Sequence, residues 1–127
     1  MNKDPCKVLV VDHERANADT NVSLLQLWGH EAEAAYSTED ALSKAVSLDP
    51  DVVLMDIEKR PISGFDLVKE LRLRCPEAKF LALTGYTRAD IVRRARSAGF
   101  DRVLAKPTPA TALQAAVETA CAASPSK

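Results

Sequence analysis

The sequence lacks an excess of charge of either sign, and it lacks a long apolar run. Its 17 basic and 18 acidic residues give a formal net charge of −1, which gives no reason to expect a surface for nucleic acid or anionic membranes. No apolar stretch is long enough to cross a bilayer, and the first residues do not resemble a signal peptide. We therefore expect a soluble, cytoplasmic protein that binds neither nucleic acid nor a membrane.

Cysteine is scarce as well. The 3 cysteines, Cys6, Cys75 and Cys121, are odd in number and far apart, without the short spacing of a metal site. This pattern favours reduced thiols over a disulfide framework, and reduced thiols are typical of a cytosolic protein.

Linkers and low-complexity segments are also missing. The 127 residues are the usual size of one domain, and the 46% of hydrophobic and 28% of charged residues are ordinary for a globular protein. We expect a single domain over residues 1–127, with a core from about residue 6 to residue 121 and a flexible tail over 122–127.

Short apolar runs alternate with helical patterns five times along the chain. The predicted strands are KVLVVD (7–12), HEAEAAY (30–36), DVVLMD (51–56), KFLALT (79–84) and DRVLA (101–105). Five helices are predicted between and after these strands. Two of them are given by their ranges, Arg15 to Trp28 and Gly64 to Arg74. The other three are given by the residues at their starts: Ser37, Thr87, and Thr108 followed by Pro109.

The strand patterns predict how the sheet is built. Apolar strands separated by helices indicate a parallel sheet that is covered on both faces. The second strand alternates only weakly and the fifth is short, so we place these two at the edges. The expected fold is a doubly wound, flavodoxin-like (βα)5 domain of the α/β class, with a parallel five-stranded sheet of order 2-1-3-4-5.

Ionisable and hydroxyl side chains follow these strands. They are Asp12, His13 and Glu14 after the first strand, Asp56 after the third, Thr84 after the fourth and Lys106 after the fifth. A parallel sheet brings such ends to one rim, where two carboxylates need a proton or a cation to compensate their repulsion. Mg²⁺ prefers oxygen ligands of this kind. A carboxylate, a metal, a hydroxyl and a lysine together are typical of a nucleophile that accepts a phosphoryl group.

These motifs resemble the receiver domain of two-component response regulators over essentially the whole chain. The resemblance rests on VLVVDHE, DVVLMDI, LALTGY, AKP and the Gly64 that follows Asp56 by eight residues. It implies that Asp56 is the phosphoacceptor and that Thr84 and Lys106 contact the phosphoryl group. It also implies a histidine kinase or phosphotransfer protein as a partner and an unknown downstream protein as the target. Such a protein is not an enzyme beyond its own phosphorylation and dephosphorylation.

The resemblance further implies a Mg²⁺ site at Asp12 and Asp56, completed by the backbone or side chain of Glu58. His13, however, stands where the family normally has a second metal-binding acid. A neutral imidazole suits Mn²⁺, Ni²⁺ or Zn²⁺ better than Mg²⁺, and it removes one negative charge from the site. Two interpretations of His13 stay open: a ligand or near-ligand of the metal, or a solvent-facing, hydrogen-bonded residue at the strand end that binds no metal. In either case we expect weakened affinity for Mg²⁺ and tolerance of Mn²⁺.

Two more positions depart from the family pattern. The proline of the loop after the phosphoacceptor is Pro61, one residue later than usual, and EKR precedes it. Val103 occupies a position that commonly holds an aromatic switch, so a rotating ring coupled to Thr84 cannot be the readout of phosphorylation. Tyr86, two residues past Thr84, is the alternative aromatic residue, and its role would be to gate access to the phosphoryl group. The bond between Lys106 and Pro107 is expected to be cis, as is typical of the family.

Three other functions stay open. His13, Pro61 and Val103 favour a pseudo-receiver, which would be a protein-binding module that needs no phosphate. A flavin binder would need a loop rich in serine, threonine and glycine, where DHERAN presents acids instead. A phosphatase of the haloacid dehalogenase type would carry a D-x-D pattern at Asp12.

Four arginines mark the fourth predicted helix: Arg88, Arg93, Arg94 and Arg96. They form either a solvated helix face or a docking surface, since the fourth helix, fifth strand and fifth helix often meet partners in the resembled family. The sequence does not decide between a protein that stands alone and a part of a larger one.

Overall fold

A computed structural model describes residues 5–57, 61–85 and 88–123, with the backbone alone for 61–63. The strands are β1 (Lys7–Val11), β2 (Glu31–Ala35), β3 (Val52–Asp56), β4 (Lys79–Thr84) and β5 (Arg102–Ala105). The helices are α1 (Arg15–Leu27), α2 (Thr38–Leu48), α3 (Pro61–Arg74), α4 (Ala89–Ala98) and α5 (Ala110–Ala123). Within these ranges, no helix has both the length and the apolar character that crossing a bilayer requires.

The sheet confirms the predicted topology. Every strand pairing is parallel, and the order is β2-β1-β3-β4-β5. Alternate residues of β1 point to opposite faces: Leu9 packs with residues of α2, α3 and α4, whereas Val8 packs with residues of α1 and α5. Both residues are fully buried, as expected for a central strand between two helical layers.

Local capping signals define several helix ends. Ser37 is the N-cap of α2, and its hydroxyl oxygen accepts a hydrogen bond from the backbone N–H of Asp40 at 3.1 Å, as predicted. Gly29 follows α1 with φ 93°, and Gly99 follows α4 with φ 133°. Residues with a side chain rarely adopt these backbone angles, so glycine allows the chain to leave each helix directly for the next strand.

Two predicted helix starts are wrong. Helix α3 begins at Pro61 rather than at Gly64, because a proline is well tolerated in the first turn, where its missing N–H is not needed. Helix α5 begins at Ala110, one residue later than predicted. The Thr108 hydroxyl donates to the carbonyl of Ala105 at 2.7 Å, so it stabilises the turn before the helix.

Gly64 allows α3 to approach the end of β3 closely. A Cβ at this position would lie 2.5 Å from Cγ2 of Ile57, a branched side chain that is 2% exposed. Even an alanine would therefore displace the helix from the strand. This close approach explains why a glycine eight residues after Asp56 is part of the motif.

The prediction of three reduced thiols is wrong for two of them. Cys6, the residue before β1, forms a disulfide with Cys121 in α5, with the Cα atoms 5.9 Å apart. Cys75 is free and buried, and its Sγ lies 3.6 Å from the carbonyl oxygen of Ala45. The count and spacing of cysteines carry no information on packing. Here the packing of α5 brings Cys121 next to Cys6, although 115 residues separate them in the sequence.

The disulfide leads to a stability prediction. Reduction should lower the free energy of unfolding by about 2–4 kcal/mol, because it removes a cross-link that restricts the unfolded chain. The measurement is the midpoint of urea unfolding with and without a dithiol reductant.

The matched controls are cysteine variants. The double variant C6S/C121S should have the lower midpoint without reductant and should not respond to it. C75S should keep the full response. A reductant effect of equal size in the double variant would contradict a stabilising role for this disulfide.

Candidate functional site

The carboxyl ends of four strands meet at one rim, as predicted. Asp12 follows β1, Asp56 ends β3, Thr84 ends β4 and Lys106 follows β5. The backbone N–H of Lys106 donates to the carbonyl of Thr84 at 2.9 Å. The fold therefore positions the lysine directly after the strand pairing ends, where its side chain reaches across to β3.

Asp56 and Lys106 form a short, partly buried ion pair. The Nζ atom of Lys106 lies 2.6 Å from Oδ2 of Asp56, and the two side chains are 32% and 9% exposed, respectively. A charge-assisted hydrogen bond of this length is strong and directional. It holds the carboxylate in one orientation and places a fixed positive charge beside it.

Asp12 is a second acid at the rim and is more deeply buried. It is 4% exposed, and its Oδ1 accepts a hydrogen bond from the backbone N–H of Glu14 at 2.9 Å. Burial raises the pKa of Asp12 above its usual value, and the negative charge of Asp56 raises it further. The Glu14 amide, Lys106 and His13 act in the opposite direction without cancelling the shift. The rim therefore brings two carboxylates together, one of them in a buried position that disfavours its charged form.

Two cavities open on the rim and share Asp12 and Asp56. The first has a volume of about 220 Å³, and polar residues of α1 form one wall of it: Asn17, Thr20 and Asn21. The sequence analysis missed these three residues. Their spacing, i, i+3 and i+4, places them on one face of the helix, and this was the signal that could have identified them.

His13 lines the second cavity, which has a volume of about 550 Å³. The side chain is exposed and shares this cavity with Asp12, Asp56 and Tyr36. Tyr36 forms the opposite part of the wall, where its hydroxyl donates to Asp19 at 2.5 Å. The hydrogen bond to Asp19 raises the pKa of Tyr36. The structure thus brings His13 to the acids, as the sequence predicts for a ligand or near-ligand.

The backbone of Thr84 lies at the rim, at the end of β4, whereas its side chain is buried. The residue is fully buried and is not among the described residues that line either cavity. Val103 is partly buried against the core, and the bond between Lys106 and Pro107 is cis, as predicted. Several predictions fall outside the described residues: those for Glu58, Lys59, Arg60, Tyr86 and Thr87.

The donor set of the rim fits a hard divalent cation. Asp12 and Asp56 supply carboxylate oxygens, which are the ligands that Mg²⁺, Mn²⁺ and Ca²⁺ prefer. The negative charge of Asp56 is one of the causes that raise the pKa of Asp12, and a cation beside the two acids would offset that repulsion. His13 adds a nitrogen donor at the edge of the same cavity, a donor that suits Mn²⁺ better than Mg²⁺.

Comparison with known proteins identifies the family of the chain. The model of the response regulator receiver domain family matches residues 8–118. The chain belongs to this family. The response regulator protein VraR of Staphylococcus saprophyticus is 32% identical over 81 residues, and that of Staphylococcus aureus is 33% identical over 81 residues. These matches cover 64% of this chain but 39% of the relatives, so the chain spans well under half of the proteins that it resembles.

Solved structures show the same fold. The chemotaxis protein CheY4 of Vibrio cholerae has a TM-score of 0.84 and 27% identity, and the match covers 92% of this chain and 99% of that one. A response regulator of Burkholderia pseudomallei has a TM-score of 0.81 and 28% identity, and the match covers 92% of this chain and 69% of that one. The Burkholderia structure contains a phosphorylated aspartic acid, a calcium ion and citrate.

Membership of the family settles the general class of function. Receiver domains are signalling modules that are generally not classed as enzymes. They generally bind Mg²⁺ at the phosphorylation site, and response regulators interact with histidine kinases or phosphotransfer proteins. The chain is therefore a receiver domain of two-component signalling.

The raised pKa of Asp12 predicts how stability depends on pH. A carboxyl group with a raised pKa in the folded state is penalised in its charged form, so wild-type stability falls as the pH rises from the unfolded-state value of 3.8 through the folded-state value. D12N keeps the shape of the side chain and the acceptor for the Glu14 amide but has no charge. We expect the free energy of unfolding of D12N to exceed that of the wild type at neutral pH.

The measurement is urea unfolding as a function of pH without divalent cations. The advantage of D12N should shrink as the pH falls through the folded-state pKa and should vanish below 3.8, because only below both pKa values is Asp12 protonated in both states. D66N, at an exposed position of α3, is the matched control for loss of one carboxylate. A wild type more stable than D12N at neutral pH would contradict the burial argument.

Proposed function

We propose that the chain accepts a phosphoryl group on Asp56 from a histidine kinase or phosphotransfer protein in the cytoplasm, and that phosphorylation switches a protein-interaction face. The observation that carries this proposal is the 2.6 Å ion pair between Lys106 and Asp56, with the buried acid Asp12 beside it. We further propose that residues 1–127 form one receiver domain, which catalyses only its own phosphorylation and dephosphorylation.

The proposed reaction is a transfer between two carriers. A carboxylate oxygen of Asp56 attacks the phosphorus atom of a phosphohistidine or of an acyl phosphate. The P–N or P–O bond breaks, its electron pair leaves with the donor, and an acyl phosphate forms on Asp56. Lys106 then pairs with a phosphoryl oxygen instead of the carboxylate, so that a positive charge faces the negative charge that develops.

The proposed cation site consists of Asp12, Asp56 and the backbone or side chain of Glu58. A bound divalent cation neutralises charge on the phosphoryl oxygens. Since His13 takes the place of an acid, we propose weak affinity for Mg²⁺ and function with Mn²⁺. His13 itself is an additional, nitrogen ligand in this scheme.

The readout of phosphorylation is proposed to involve Thr84. Its hydroxyl lies at the end of β4, next to the strand that carries Asp56, and it is fully buried before phosphorylation. Movement of this hydroxyl toward the phosphoryl group would change the packing between β4 and the neighbouring helix α4. The exposed arginines of that helix, Arg93, Arg94 and Arg96, then form part of the interaction face for a downstream protein.

The competing proposal is a pseudo-receiver that binds partners without phosphate. It is favoured by the exposed imidazole of His13 at a position that the family normally gives to an acid. The two proposals differ in one observable property, which is a covalent phosphoryl group on Asp56.

The first test is phosphorylation of the purified chain. Incubation with acetyl phosphate or phosphoramidate should give a species that is retarded on a phosphate-affinity gel, with more product in Mn²⁺ than in Mg²⁺ at equal, low concentration. D56N should give no such species, because it lacks the nucleophilic oxygen. Absence of any Asp56-dependent species with both metals would support the pseudo-receiver instead.

The second test restores the acid at position 13. H13D should bind Mg²⁺ at least about tenfold more tightly than the wild type, since a unit charge about 4 Å from a divalent cation contributes about 2 kcal/mol even in water. The affinity is measured by isothermal titration calorimetry with Mg²⁺. H13N, which is uncharged, is the matched control and should stay close to the wild type. Equal affinities of H13D and H13N would contradict a role for this position in cation binding.

A further inference from the structure

Three metal-ligating side chains meet at the end of the sheet opposite the rim. Cys6 precedes β1 and His30 precedes β2, and the pairing of Lys7 with Glu31 makes them neighbours one step before the strands begin. The backbone N–H of Glu31 donates to the carbonyl of Cys6 at 2.9 Å, which fixes this arrangement. Cys121 reaches the same place from α5.

The geometry of the cluster is compact. One ligand atom from each of Cys6, His30 and Cys121 lies within 4.8 Å of the other two, and all three residues are partly buried. Two sulfurs and an imidazole nitrogen are a donor set that favours Zn²⁺ and other soft or borderline cations over Mg²⁺. The cluster therefore differs from the rim in both position and ligand chemistry.

The Nε2 atom of the His30 imidazole is buried and has no hydrogen-bond partner in the described part of the chain. A buried polar atom without a partner costs free energy, and such atoms in proteins often belong to a site for water or an ion. Since the same side chain supplies a ligand atom to the cluster, a cation held by His30 would remove this cost.

We propose that the cluster is a redox-controlled zinc site: in the reduced protein, the thiolates of Cys6 and Cys121 and the imidazole of His30 bind Zn²⁺, with a water molecule as the fourth ligand. In the oxidised protein, the disulfide occupies both sulfurs and prevents this binding. Open sites with three protein ligands and a water are well known for zinc.

Reduction of the disulfide converts the oxidised protein into the form that binds Zn²⁺. A dithiol reductant gives two electrons and two protons to the disulfide, which becomes two thiols, and the dithiol becomes its own disulfide. Binding of Zn²⁺ then displaces the two thiol protons, since the ligands are thiolates. The covalent link between α5 and the start of β1 is thereby exchanged for a link through the metal.

Trp28 provides a probe close to this site. It is the only tryptophan in the chain, and it packs against the same core cluster as Cys6 and Cys121. Cys75 lies in the core on the other face of the sheet and is 3% exposed. The chain therefore contains both an internal reporter and an internal control cysteine.

The experiment uses Co²⁺ as a spectroscopic substitute for Zn²⁺. The full chain is reduced, freed of reductant without oxygen and titrated with Co²⁺, and the oxidised chain is treated in the same way. The reduced protein should show thiolate-to-cobalt charge-transfer absorption and the visible bands of a tetrahedral site at an equimolar end point. Addition of Zn²⁺ should abolish both. The oxidised protein should show neither.

Variants separate this site from other sources of cobalt binding. C121S should lose the thiolate bands, and H30Q should bind Co²⁺ more than about tenfold more weakly, since loss of a ligand should exceed the effect of losing an outer-shell partner. C75S and D56N should behave as the wild type. The response of Trp28 fluorescence to Zn²⁺ should follow the same order among the variants.

The proposal is overturned if the reduced wild type shows no thiolate bands, if C121S keeps them, or if H30Q binds Co²⁺ as tightly as the wild type. The comparison of the oxidised with the reduced wild type needs no substitution, so it remains informative if a variant fails to fold. Because D56N is a control here, loss of the phosphoacceptor function would leave this test unaffected.

Discussion

At the rim of the sheet, Lys106 Nζ lies 2.6 Å from Oδ2 of Asp56, and this contact joins the end of β3 to the segment after β5 across the intervening strand β4. Both side chains start from backbone positions that the strand pairing fixes, so the contact depends on the sheet and not on a mobile loop. The ion pair also reduces the repulsion between Asp56 and the buried Asp12. The orientation of the Asp56 carboxylate and the charge balance of the rim thus rest on the same two atoms.

The remaining imbalance of charge explains why His13 matters. Two carboxylates face one lysine, and burial leaves Asp12 with a raised pKa. An acid at position 13 would increase both the attraction for a divalent cation and the repulsion among the carboxylates of the rim. The imidazole of His13 adds no negative charge and lies on the exposed side of the cavity. The proposed weak affinity for Mg²⁺ therefore goes together with a lower cost of holding the acids close to one another.

Much of the fold could be predicted from the sequence, because the apolar runs of β1, β3 and β4 are long enough to identify buried strands and helices separate them. The positions of Asp12, Asp56 and Lys106 follow directly, since residues at the ends of parallel strands share a rim. Features that depend on helix packing were missed. The polar wall of α1 and the Cys6–Cys121 disulfide arise where a helix face meets the sheet, and the Thr84 side chain is oriented by its neighbours.

The two ends of the sheet differ in the kind of cation that they suit. The rim offers carboxylate oxygens, which are hard donors, whereas the opposite end offers two sulfurs and an imidazole nitrogen. Helix α5 connects the two ends, because Leu113 near its start lines a rim cavity and Cys121 near its end forms the disulfide. Its position is fixed at one end by packing and at the other by a bond that reduction can break. A change in that bond therefore acts on a helix that also borders the cavity of Asp56, which gives redox state a physical route to the rim.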